Sequence, residues 1–139
     1  MSRFVIGIDP GKNTGFAVYD RHTRQLQILE TLDFWKVYGR MRSFRLEDVP
    51  LIVVEVPETK HIWHTPPDNV KALQRQAVTV GGVIREAVLL ADGIEGLGFT
   101  VKRKHPLGKC THAKFAALTG WNKRTDEHQR DAGRLAWGR

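Results

Sequence analysis

A single cysteine, Cys110, among 139 residues leaves no partner for an internal disulfide and too few thiolates for a multi-cysteine zinc site. That suits a reducing compartment. Long hydrophobic runs are missing as well, since none approaches the ~20 residues that span a bilayer. The first apolar stretch is broken by Asp9 and Pro10, with no small-residue cleavage site behind it. The expectation is a cytoplasmic protein with no membrane partner. There is no internal repeat, low-complexity tract or linker, and the length suits one domain, residues 1–139.

Acid is scarce in one part of the chain. Residues 1–101 hold 12 Lys plus Arg against 12 Asp plus Glu, whereas residues 102–139 hold 10 against 3, so the whole net charge of +7 lies in the carboxyl-terminal segment. A one-sided basic excess is the footprint of a phosphate-backbone binder, although a solvated basic face reads the same way.

The elements follow from apolar spacing and turn residues. Phe4 to Asp9 is a β-branched run closed by Pro10-Gly11, and Thr14 to Tyr19 is its hairpin partner. Gln25 to Asp33 alternates as a third strand. Trp35 to Arg45 reads as a short helix feeding Trp35, Val37, Tyr38, Met41 and Phe44 into the core. Leu51 to Val56 is apolar throughout between two prolines, the pattern of a strand buried on both faces. From Val70 to Ala91 apolar residues recur at three- and four-residue steps, which predicts an amphipathic helix interrupted by Gly81-Gly82 and ended by Gly93, Gly96 and Gly98. Phe99 to Lys102 is a fifth strand, and Ala113 to Leu118 and Glu127 to Trp137 are two more helices. Three successive antiparallel strands, then strands alternating with helices, predict a mixed α/β fold with a five-stranded sheet flanked by helices.

Two of the buried-type strands carry one acid each near the carboxyl end, Asp9 and Glu55. In open α/β sheets, ligand sites gather at the carboxyl ends of neighbouring parallel strands. His128 and Asp131, three apart on the last helix, share a face. If these four meet, three carboxylates and an imidazole crowd together, and cations relieve the repulsion. Such a donor set suits Mg²⁺ or Mn²⁺, and two such ions ~4 Å apart are the apparatus of phosphodiester hydrolysis. Each residue also has a plainer reading. Asp9 can cap the Pro-Gly turn, Glu55 can pair with an arginine, and Asp126 can be a helix N-cap with Glu127 favouring the dipole. His61 and His64 read as surface or DNA-facing, Trp121 and Trp137 as core, and Cys110 as packing. Joint occurrence of the acids favours the site.

The stretches IGIDPGKNTGFAVYD, IVVEV and EHQRDA resemble the RuvC-type Holliday junction resolvases, in particular their compact phage and prophage relatives, within the ribonuclease H-like superfamily. The resemblance implies a ribonuclease H-like sheet and a metal-dependent endonuclease that cuts branched double-stranded DNA as a homodimer. It also implies Asp9, Glu55, His128 and Asp131 as metal ligands, with two Mg²⁺ or Mn²⁺ ions per site. His128, where many members have aspartate, serves as ligand or as proton acceptor, and Asp126 and Glu127 are the alternatives if the register slips. The resemblance further implies Lys109 as the phosphate contact at the reacting centre. The DNA-facing set is completed by Lys12, Asn13, Lys60, His61, Trp63, Lys104, Lys114, Lys123 and Arg124, with His61 or Trp63 in place of the aromatic wedge of related enzymes. A YqgF-like nuclease acting on RNA and a catalytically silent branched-DNA-binding module remain open as alternatives. An actin-like kinase needs two such domains and does not fit.

Overall fold

A computed structural model of the chain describes residues 3–49, 51–57 and 70–139, the side chains of 70–81 and 83 excepted. Lys60, His61, His64 and Trp63 lie outside the described residues. The strands are β1 (Phe4–Asp9), β2 (Thr14–Asp20), β3 (Gln25–Leu32), β4 (Leu51–Glu55) and β5 (Val101–Lys104). The helices are α1 (Phe34–Ser43), α2 (Val70–Gly96), α3 (His112–Thr119) and α4 (Glu127–Ala136), and a 3₁₀ turn covers Leu46–Asp48.

The five strands form one mixed sheet in the order β3-β2-β1-β4-β5. The β1-β2 and β2-β3 pairs are antiparallel, and β1-β4 and β4-β5 are parallel. Side-chain alternation sorts each strand into two faces. Ile6, Ile8, Phe16, Val18, Ile52 and Val54 pack with Val37 and Met41 of α1 and Leu90, Ala91 and Ile94 of α2. Val5, Ala17, Tyr19, Leu26 and Leu29 point the other way, against Phe115 of α3 and Ala132 and Ala136 of α4. The sheet is therefore covered on both sides, and each fully buried Ile or Phe contributes about 1.5–3 kcal/mol of transfer free energy.

Local chemistry explains the helix ends. Asp33 caps α1 by accepting from the Lys36 N–H, Thr111 caps α3 by accepting from Lys114, and Gly120 closes α3 in the left-handed conformation at φ 76°. At α4 the Asp126 side chain accepts from the Gln129 N–H while the Gln129 side chain accepts from the Asp126 N–H, a reciprocal capping box.

Three expectations need correction. Trp35 is 77% exposed rather than in the core. With α1 starting at Phe34, the buried stripe is Val37 and Met41, four apart, and Trp35 lies about 200° away around the axis. The fifth strand begins two residues later than expected, because Gly98 turns the chain at φ 102° and Phe99 anchors the core before the ladder opens at Ile52↔Val101. The long helix continues through Gly93 to Gly96. The missing side chain at Gly93 is used by the ring of Tyr38, which stands 3.4 Å from where a β-carbon would be.

Candidate metal centre

Asp9 ends β1 and Glu55 ends β4, and these strands are parallel neighbours in register through Ile8↔Val54. The next step along both strands is the two acids. Alternation puts Asp9 with Val5 and Gly7, and Glu55 with Leu51 and Val53, on the face that α4 covers. Both carboxylates are buried, at 7% and 8% exposure. An ionised acid in that position needs compensation.

The third carboxylate comes from α4, whose close approach depends on two glycines. A β-carbon on Gly7 would lie 2.1 Å from the Ala132 carbonyl oxygen, and one on Gly15 would lie 2.0 Å from that of His128. No other residue leaves room there. Gly15 is the cross-strand partner of Asp9, so this contact lowers the start of α4 directly beside the acid. Ligand oxygens of Asp9, Glu55 and Asp131 consequently lie within 4.8 Å of one another. His128 joins them at a remove, with its Nδ1 3.2 Å from Asp9 Oδ2. The compact acidic set closes without the imidazole, which instead tethers one of its members.

These groups line a cleft of about 380 Å³ together with Pro10, Gly11, Lys12, Asn13, Pro57 and Glu127. The turn that forms one wall is held by Thr14, whose buried hydroxyl donates to the Gly11 carbonyl.

Crowding is visible in the acidities. Burial pushes Asp9 up to about 6, with Asp131, Glu127 and Asp126 adding to the rise against the relief of a hydrogen bond from Glu55. Glu55 is pushed up to about 8, first by burial and then by its hydrogen bond to Asp9 and the charge there, offset in part by His128 and the Leu107 N–H. Asp131 rises to about 6 through burial, then through Glu55 and Glu127, with Arg134 and His128 opposing. A protonated Glu55 donating to an ionised Asp9 satisfies all these signs. Three converging carboxylates, open space beside them and no thiolate form a donor set that can hold a hard divalent cation. The residues fit the ion that the sequence implies.

The remaining sequence-predicted residues are distributed as follows. Lys12 and Asn13 are exposed on the cleft wall. Lys104 ends β5 opposite Glu55 in the ladder, on the same face of the sheet, and is held below its usual range first by the charge of Arg139. Lys109 is exposed two residues beyond Leu107, whose N–H reaches Glu55. Lys114 is exposed in the first turn of α3. Lys123 and Arg124 are exposed after α3, and Lys123 Nζ stands 5.5 Å from the centre of the Trp121 ring. Of the alternatives, Asp126 is the N-cap of α4, and Glu127 lines the cleft. Trp121 and Trp137 pack against the α3/α4 core, Trp137 edge-on to Tyr19 at 5.3 Å, and Cys110 packs beside them.

Sequence reasoning passed over Arg130 and Arg134. The signal was an i, i+4 pair of like charges bracketing Asp131, a spacing that costs helix stability unless each charge has work elsewhere. It also passed over Gly7 and Gly15, whose signal was glycine one strand period before an acid and glycine directly across from it. No known protein-family model matches the chain, and no curated protein matches it.

Proposed function

We propose that the protein is a metal-dependent endonuclease of ribonuclease H-like type that resolves four-way or other branched DNA. The observation that carries this reading is the meeting of Asp9 from β1, Glu55 from β4 and Asp131 from α4 around one open cleft. The strand order β3-β2-β1-β4-β5, with an antiparallel meander leading into parallel strands, supports the ribonuclease H-like assignment. So does the resemblance of IGIDPGKNTGFAVYD and EHQRDA to RuvC-type resolvases.

In the cleft, Asp9, Glu55 and Asp131 would hold Mg²⁺ or Mn²⁺, two ions per site. Bound there, the ions supply activation of water and charge stabilisation at the departing 3′ oxygen. With a cation bound, Glu55 would be held as its carboxylate, and its proton would pass to solvent. His128 donates through Nδ1 to Asp9, which leaves the Nε2 lone pair to take a proton or serve as a ligand. Lys12, Lys109 and Lys114 neutralise phosphate around the cleft. Symmetric cutting of two strands calls for a C₂ homodimer, and α2 offers the apolar side chains Val88 and Leu89, 38% and 58% exposed, to a partner copy.

The direct test is a synthetic four-way junction with Mg²⁺. Asp9→Asn is expected to abolish cleavage and keep binding, and wild-type cleavage by that variant would overturn the reading. Flap, RNA and RNA/DNA hybrid substrates run beside it separate a resolvase from an RNA-directed nuclease.

A further inference from the structure

Arg130 and Arg134 project from one face of α4, one turn apart, on either side of Asp131. Neither forms an ion pair among the described residues. Both guanidinium groups donate to main-chain oxygens instead. Arg130 Nε donates to the Cys110 carbonyl at 2.8 Å, and its Nη1 donates to the carbonyl and hydroxyl of Thr125 at 2.9 and 3.2 Å. Arg134 Nη1 donates to the Gly108 carbonyl. One residue earlier, the Leu107 N–H faces the Glu55 carboxylate and tempers the rise in its pKa. Two of the four residues 107–110 are thus tied to α4 through their carbonyls, and a third, Leu107, faces the end of β4. The fourth is Lys109, which is exposed and makes no hydrogen bond or ion pair among the described residues.

A loop with no regular structure between β5 and α3 would ordinarily be free to move. Here it is fastened at the carbonyl before Lys109 and the carbonyl after it, by the helix that carries Asp131. The fastening costs two like charges at a spacing that disfavours the helix, which needs a return. We infer that Arg130 and Arg134 are positioning residues, which lock the 107–110 loop to α4 so that the Lys109 ammonium is held beside the acidic cleft for the phosphate being cut. The inference rests on the nuclease reading for the identity of the ligand, and on the hydrogen bonds alone for the rigidity of the loop. The lysine is delivered in place before substrate arrives, so no ordering cost falls on the reacting complex.

The experiment uses the full chain and pairs a measurement without substrate with one of turnover. In the Arg130→Gln/Arg134→Gln double variant, backbone order parameters over residues 107–110 from ¹⁵N relaxation should fall from about 0.85 to below about 0.6. On a synthetic four-way junction with saturating Mg²⁺, kcat should fall by up to about 100-fold. Lys109→Ala, which lowers kcat in the otherwise wild-type chain, should change it little in the double variant, because the lysine is already misplaced there. Arg130→Lys/Arg134→Lys, which keeps donors, should recover part of the loss. Unchanged order parameters overturn the inference, as does a Lys109→Ala cost that is the same in both backgrounds. A wild-type chain that cleaves no nucleic acid defeats the nuclease reading instead, and the order parameters alone then decide whether the two arginines order the loop.

Discussion

Gly7 in β1 and Ala132 in α4 meet backbone to backbone: the space a β-carbon on Gly7 would need is occupied by the Ala132 carbonyl oxygen, 2.1 Å away. The helix that supplies Asp131 is seated by this contact and its companion at Gly15. Gly7→Ala should therefore destabilise the fold by about 2–4 kcal/mol, since only a backbone shift can make room. Chemical denaturation measures it. Gly39→Ala is the control, because nothing lies within 4 Å of that position in α1 and the change should gain about 0.5–1 kcal/mol. A Gly7→Ala chain as stable as wild type would mean that α4 does not sit so close.

Glu55→Gln separates the ion from the fold. Glu55 titrates at about 8, so at pH 7 the metal-free protein holds it largely as the acid, and glutamine keeps a neutral donor there. The metal-free variant should match wild type only near pH 4, where the unfolded chain also keeps the Glu55 proton, and be more stable at pH 7 and above, where only the unfolded wild-type chain releases it. Its Mn²⁺ affinity by calorimetry should drop at least about tenfold. Undiminished Mn²⁺ binding would remove Glu55 from the ligand set.

Stability without metal should depend on pH in a direction opposite to that of ordinary paired carboxylates. Asp9, Asp131 and Glu55 are raised from 3.8, 3.8 and 4.5 to about 6, 6 and 8. The native state therefore keeps protons that the unfolded chain has released. The stabilisation is complete only below about pH 4 and is lost from there as pH climbs, through 6 for the two aspartates and through 8 for Glu55. Asp20 acts the other way: Arg3, bonded to it at 2.7 and 3.0 Å, helps hold it at about 2, so its contribution fades only below about pH 4. The melting temperature in EDTA should fall by roughly 5–10 °C between pH 5 and pH 8.5. Saturating Mn²⁺ should flatten that slope, because the ion replaces the protons. A flat profile in EDTA would show that the three acids are not crowded.

Leu89, more than half exposed on α2, tests the two-copy arrangement. Leu89→Glu should shift sedimentation from dimer toward monomer and reduce paired cutting of a junction to single nicks, with the monomer's melting curve still cooperative. A wild-type chain that sediments as a monomer at micromolar concentration would rule the dimer out.

Much of the architecture can be read directly from the residues, for identifiable reasons. β1 ends where expected because Pro10-Gly11 cannot continue a ladder, and α4 starts where expected because Asp126 and Gln129 form a capping box. Asp9, Glu55 and Asp131 could be named because acids at the ends of apolar strands, or on a helix otherwise lined with alanine and leucine, demand compensation. What escaped depends on three-dimensional partners. Periodicity says that α1 has an apolar side but not which of its aromatics is on it, so Trp35 was misplaced. The function of Gly7 and Gly15 appears only when α4 is laid across them, and that of Arg130 and Arg134 only when the loop carbonyls are in view.

Asp9 and His128 touch although 119 residues separate them along the chain. A polypeptide still being made on the ribosome does not bring its three acids together until α4 has emerged and settled on the sheet. A truncation that removes α4 should therefore leave two acids without their third neighbour, and Mn²⁺ affinity measured by calorimetry should fall with it.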